Sequence, residues 1–323
     1  MGLIYSTEEK FANLIIKKHV LETPFNIEEL VQKYATLFYK KIPISGVDGV
    51  SINIKIPGKI PKIILNADLS AGRKLFTLAH ELGHLIIPWH TGTIVDNIYN
   101  QSYKDFLYQR LEHEANQFAA QLLMPRDYVL ELFETTKCSL AKLQENLVRT
   151  IGVSTHAAAI RISQILRPEI IFIAVEDGKV LFCGKTPNTN ANFPASNEIF
   201  DQNYFPYYKE VSICTITRTE YHWYDLNIEV EIETDDEIEW RHVLNEIVED
   251  IKPPEGAEKF KKTINGKVSF AHGSVKKNGE YNISSVFIAC LYRMKDFENK
   301  EFINHKNFEL FLKLRALAFI NKK

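Results

Sequence analysis

Phe76-Thr77-Leu78-Ala79-His80-Glu81-Leu82-Gly83-His84 places a His-Glu-x-x-His pattern inside an apolar-periodic run. Residues four apart share one face of a helix, with Cβ atoms roughly 6 Å apart, so His80 and His84 can grip a single metal ion. Glu81 lies beside the pair, where a catalytic base would stand. Asp68 or Ser70 is placed to cap this helix and Pro88 to end it, and Leu75, Leu78, Ala79, Leu82 and Ile86 supply a face that can pack on a core. Zinc hydrolases use this arrangement to generate a nucleophile at neutral pH, with the glutamate taking up the proton and later delivering it to the leaving amine.

Catalytic zinc takes three protein ligands and leaves one position open. A carboxylate on a later helix is the natural third, and the run Leu111-Glu112-His113-Glu114-Ala115-Asn116-Gln117-Phe118 offers two. At about 100° per residue, the apolar face formed by Leu111, Ala115, Phe118 and Leu122 leaves Glu112 and Glu114 equally far to either side, so helical geometry does not choose. Asn116 lies one turn beyond Glu112 on the same face and could hydrogen-bond a ligand histidine. That favours Glu112 as the third ligand, with Glu114 as the alternative. His113 points to the opposite, solvent-facing side. His90 and Tyr108 are near in sequence as helpers for an oxyanion, but each reads more simply as structural.

A chain of 323 residues has room for two domains. A net charge of −2 provides no global field favouring nucleic acid or a membrane surface. No run of about 18 apolar residues exists, so no membrane span is expected. The N-terminus lacks the apolar core of a signal peptide. The four cysteines are scattered without a CxxC pair, as expected of reduced thiols in a cytoplasmic protein. Cys183, Cys214 and Cys290 lie in apolar strand-like runs and read as buried thiols. Cys138 lies outside them.

Ser6 with Glu9 forms a capping box that opens a helix to about Val20, and Asn26 caps a second helix from Ile27 to Tyr39. Val50–Ile54 and Lys62–Leu65 read as strands, and a long helix spans about Asp105 to Leu123. Two or three shorter helices fill Asp127 to Leu166. Beyond Arg167-Pro168 the pattern turns to short strands: Ile170–Val175, Val180–Cys183, Val211–Thr217, Leu226–Ile232, Lys267–His272 and Ser284–Tyr292. A long loop over Pro187–Pro206 and helices over Ile238–Ile251 and Asn307–Asn321 complete this half.

Two motifs in order, Arg73-Lys74-Leu75-Phe76-Thr77-Leu78-Ala79-His80-Glu81-Leu82-Gly83-His84 and Glu112-His113-Glu114-Ala115-Asn116-Gln117-Phe118-Ala119-Ala120-Gln121-Leu122-Leu123-Met124-Pro125, resemble the ImmA/IrrE family of metallopeptidases. The likeness covers about residues 1–166. It implies an α+β protein: a mainly helical, gluzincin-like zinc peptidase domain with a small β-sheet over 1–134, then a helical, helix-turn-helix-like segment over 135–167. A C-terminal α+β domain, GAF-like by the same analogy, would cover 168–323. The implied activity is site-specific cleavage of a helix-turn-helix transcriptional repressor in a stress, DNA-damage, phage-defence or mobile-element response. Zinc is the implied metal, with manganese as the alternative, and the C-terminal domain would gate the enzyme on a small-molecule or nucleic-acid inducer. The competing reading is a non-catalytic DNA- or protein-binding regulator of the toxin–antitoxin type with a structural metal site.

The run Leu147 to Ile162 reads as helix, tight turn at Gly152, helix, and Thr136–Pro168 carries five Lys or Arg against one acid, a local charge of +4. Arg161 is the strong base reader on the would-be recognition helix; otherwise the segment packs on the peptidase core. In the C-terminal half, eleven acids against Arg241 between Asp225 and Asp250 argue against DNA binding on that face. Tyr221-His222-Trp223-Tyr224 either stacks a ligand or packs its own core.

Overall fold

The computed structural model describes residues 5–321 apart from 45, 96–103, 138, 188, 190, 206–207, 228–237, 279–280 and 296. The chain divides into two compact units, 1–165 and 166–323. Cys138 and six of the eleven acids between Asp225 and Asp250 fall outside the described residues.

The first unit opens with α1 (Thr7–His19), whose Ser6–Glu9 capping box is present, and α2 (Ile27–Gln32), capped by the Asn26 side chain. The second helix is shorter than its sequence pattern suggests. It stops at Gln32, and Thr36–Lys40 forms β1 instead. The run Thr36-Leu37-Phe38-Tyr39 is β-branched and aromatic, so it gains more by pairing than by continuing the helix. β1 runs parallel to β3 (Lys62–Asn66), which pairs antiparallel with β2 (Gly49–Ile54), and β2 pairs with β4 (Gly92–Val95), giving the order β1-β3-β2-β4.

Against this sheet lies α3 (Ala71–Ile86), which carries the His-Glu motif and packs on α4 (Lys104–Leu123). Leu78, Ala79 and Leu82 of α3 are buried, as are Ala115, Phe118 and Leu122 of α4. Gly83 lets the two helices approach closely. A Cβ there would lie 3.1 Å from the Phe118 ring and 3.3 Å from Ala115 Cα, tighter than most such contacts. Both metal-binding motifs are thereby brought to one seam.

Three further helices follow: α5 (Arg126–Thr135), α6 (Leu140–Ile151) and α7 (Thr155–Ile165). Gly152 caps α6 with φ 82°, a left-handed conformation that favours glycine. The helix–turn–helix geometry exists, but α7 is built into the unit. Ala158, Ala159, Ile162 and Ile165 are buried, and Arg161 is only 1% exposed. Its guanidinium donates to Met124 O (3.0 Å), to Glu9 Oε1 (3.1 Å) and to Gln121 Oε1. Arg161 is therefore an interior tie between α7, α1 and α4, as the reading of a segment packed on the peptidase core implies, and it is not placed to read bases.

The second unit begins with an antiparallel sheet of β5 (Ile170–Glu176), β6 (Lys179–Lys185), β7 (Glu210–Ile216) and β8 (Thr219–Asp225), ordered β6-β5-β8-β7. The β5–β6 turn places Asp177 and Gly178 at positive φ, the hairpin geometry their sequence favours. Of the strand expected at Leu226–Ile232, positions 228–232 lie outside the described residues; the described strand before it is β8. Its aromatic cluster is interior: Trp223 packs on Phe172 with ring centroids 4.9 Å apart, and Tyr221 is 1% exposed. The ligand-stacking reading of these rings is thereby withdrawn.

The rest of the unit is helical: α8 (Trp240–Ile251), α9 (Ala257–Asn278), α10 (Ile283–Met294), α11 (Lys300–Ile303) and α12 (Phe308–Ile320). The strands expected at Lys267–His272 and Ser284–Tyr292 are thus the middle of α9 and most of α10. Phe260, Ile264, Val268, Ala271 and Val275 recur every three or four residues and are all buried, a helical period that a six-residue window conceals. An Asn282–Ser285 capping box opens α10, and Cys290 is buried on that helix. No helix among the described residues is long and apolar enough to cross a membrane.

Candidate metal centre

α3 carries the motif histidines on the face turned to α4. His80 is 3% exposed and His84 fully buried. Their Nε2 atoms face each other at 3.0 Å. Glu112, from α4, closes the group: Oε2 lies 3.2 Å from His80 Nε2 and Oε1 3.5 Å from His84 Nε2. One donor atom from each of the three residues falls within 4.8 Å of the others.

The hydrogen bonding shows what this cluster is suited to hold. His80 Nδ1 donates to Asn116 Oδ1 at 2.9 Å, so His80 Nε2 carries a lone pair. Glu112 Oε1 is buried and has no hydrogen-bond partner among the described residues. Burial lowers the His84 pKa to about 4, leaving a neutral imidazole at neutral pH. Electron-rich nitrogens and a carboxylate oxygen pointed at a common space suit a cation there, and two imidazoles with one carboxylate are a donor set that fits zinc.

Glu114 is not part of this set. It faces the other side of α4, where it accepts from His90 Nε2 (3.0 Å), Trp89 Nε1 and Arg110 Nε (2.7 Å). His90, in turn, meets His84 through their Nδ1 atoms at 2.7 Å. Burial lowers the His90 pKa, against the pull of Glu114. His113 is exposed, as its helical position implies.

Glu81 is 1% exposed and turned to the sheet, where Ser51 Oγ donates to its Oε2. Gly49, also on β2, leaves room for the carboxylate: a Cβ at that position would overlap Glu81 Oε1. Neither residue stands out in the sequence, because their link to Glu81 exists only through the β2–α3 packing. Gly49→Ala is expected to displace the Glu81 carboxylate. A misplacement of about 1 Å costs on the order of 10²-fold in rate, while zinc affinity, measured by chelator competition, should stay at the wild-type value.

Lys55 supports the far end of the site. Its Nζ donates to the carbonyls of His84 (3.2 Å), Ile87 (2.8 Å) and His90 (2.8 Å), neutralising the C-terminal end of α3. Burial lowers its pKa to about 8. Beside the ligands a cleft of about 700 Å³ runs between α3, α4 and α7, lined by Arg73, Phe76, His80, Glu112, His113 and His156 among others.

The family model for the IrrE N-terminal-like domain of M78 peptidases matches residues 34–163. No curated protein matches the chain. A solved structure of a Mycobacterium tuberculosis transcriptional regulator aligns at 14% identity and a TM-score of 0.38 over 55% of this chain. The chain spans about half of that protein, 54% of its length.

Proposed function

We propose, starting from the IrrE N-terminal-like domain that residues 34–163 form, that this protein is a zinc-dependent endopeptidase cleaving a helix-turn-helix transcriptional repressor at a specific site. The observation that carries the reading is the convergence of His80, His84 and Glu112 on one space, beside a buried glutamate held by β2.

His80, His84 and Glu112 would hold the metal. Zinc bound there supplies a Lewis acid that polarises a carbonyl and acidifies water. Glu81 takes the proton from the attacking water and returns it to the leaving amine. Ser51 and Gly49 keep its carboxylate in place between these two transfers. Asn116 keeps His80 in the tautomer that offers Nε2. A peptide would lie in the cleft that His80 and Glu112 border, whose volume is in the range of small-ligand and peptide sites.

The gating role falls to the second unit. A depression of about 340 Å³ there is lined by Asn192, Lys267, Phe270, Ser274, Tyr292 and Arg293, among others, with no carboxylate among its lining residues. That charge pattern supports an anionic inducer, a small molecule or a nucleic acid.

The test incubates zinc-loaded protein with the helix-turn-helix protein encoded beside it, and reads the products by mass spectrometry. A single internal cut is expected; an intact repressor under every inducer tried would overturn the reading. Glu112→Gln is expected to weaken zinc binding by more than the about 10–100-fold that loss of an outer hydrogen bond causes. Glu114→Gln is expected to retain measurable zinc binding. Equal loss in both variants would put Glu114 back among the ligands.

A further inference from the structure

Glu114 is 5% exposed and His90 is fully buried, yet neither contributes to the proposed ligand set or to acid–base chemistry. Three donors converge on the Glu114 carboxylate: Trp89, Arg110 and His90. A carboxylate only accepts, so His90 must offer it the proton-bearing nitrogen, Nε2. His90 Nδ1 is then the acceptor in its 2.7 Å contact with His84 Nδ1. His84 must therefore carry its proton on Nδ1, which leaves the Nε2 lone pair facing His80 and Glu112. Reversing either imidazole would put a hydrogen where the ligand nitrogen should be.

The arrangement is anchored at both ends. Lys55 holds the carbonyls of Ile87 and His90 and so fixes the turn that carries His90. Arg110, one helical turn before Glu114, fixes the carboxylate. We propose that His90 and Glu114 are positioning residues for the metal, acting through the chain Glu114–His90–His84 to select the tautomer and ring orientation of His84. The inference rests on the metal-centre reading above. It assigns to Glu114 a role distinct from that of a ligand, and it makes the two ligand histidines differently supported. His80 is met by the Asn116 amide, whereas His84 is met by a second imidazole backed by a carboxylate.

The experiment compares wild type with His90→Phe, His90→Asn and Glu114→Ala in the full chain. Zinc affinity is measured by chelator competition, His84 protonation by nitrogen NMR of the imidazoles in metal-free protein, and folding by thermal melts. His90→Phe and Glu114→Ala are expected to weaken zinc binding about 10–100-fold, the usual effect of losing an outer partner. His90→Asn, which restores a carbonyl acceptor for His84 Nδ1, should recover part of the affinity. If His90→Phe fails to fold, Glu114→Ala carries the test, because it leaves His90 in place.

Zinc bound as tightly by both variants as by wild type overturns the proposal. So does a wild-type His84 with its proton on Nε2. Two controls separate this failure from that of the underlying reading. If His80→Ala and Glu112→Gln also leave zinc binding unchanged, the metal centre itself is wrong. If they abolish it while His90→Phe and Glu114→Ala do not, only the positioning role is lost.

Discussion

Glu81→Gln is expected to yield a folded protein that still binds zinc and no longer cuts the repressor proposed as its substrate. Glutamine keeps the volume of the side chain and an oxygen that Ser51 Oγ can still reach, so the β2–α3 packing survives. It lacks a basic oxygen able to accept a proton near neutral pH. Loss of a general base costs about 10²–10⁴-fold. Of the carboxylates lining the cleft, Glu112 faces both histidines and Asp48 is paired with Arg73, so neither can replace it. Metal content by atomic emission and product by mass spectrometry check the two halves of the expectation. A zinc-loaded variant that cleaves at the wild-type rate would remove Glu81 from its role.

Arg161→Met is expected to be the most destabilising single change in the first unit. The substitution leaves Glu9, itself 4% exposed, with the Ser6 backbone N–H and a longer 3.7 Å ion pair to Arg126. It also removes one donor from the Met124 carbonyl and one from Gln121 Oε1. Breaking a buried ion pair by removing one partner costs about 3–5 kcal/mol. For a unit of this size each kcal/mol lowers Tm by roughly 2–4 °C, so a fall on the order of 10 °C is expected in calorimetry. The double variant Glu9→Met/Arg161→Met should recover much of the loss, because the buried carboxylate is removed together with its guanidinium partner. A single variant melting with wild type would show that the pair contributes little. The same burial means that any DNA affinity of the intact protein should be indifferent to Arg161.

The elements around the centre were legible because their signals are local. Ser6 with Glu9, Asn26 as a cap, and the alternation in Val50–Ile54 each specify structure within a few residues, and the structure has all three. The pairing of His80 with His84 is likewise local, set by one helical turn. Glu112 against Glu114 was not, because both flank the apolar stripe of α4 and the choice depends on how that helix is rotated against α3. Asn116 was the single sequence clue to that rotation, and it bonds His80.

What escaped the sequence was set by tertiary contact. Thr36–Lys40 abandons helix for a parallel pairing with β3 across more than twenty residues of intervening chain. Gly49 and Ser51 matter only because β2 passes beneath α3. Arg161 looks like a surface base until its partners on α1 and α4 are known. The segments 267–272 and 284–292 misled for the opposite reason: β-branched and aromatic residues fill one face of a long helix, and a short window sees their β propensity rather than their period.

The close passage of α3 and α4 at Gly83 ties inorganic chemistry to backbone spacing. His80 and His84 are borne by one helix and Glu112 by the other, so the size of the coordination space is the gap between two rods. A single methyl group at position 83, meeting Phe118 and Ala115 at little over 3 Å, would wedge the rods apart without touching any ligand. The preference of such a centre between a small ion and a larger one is thus open to adjustment from the hydrophobic seam behind it. Ion choice could drift through core substitutions while every coordinating side chain stays in place.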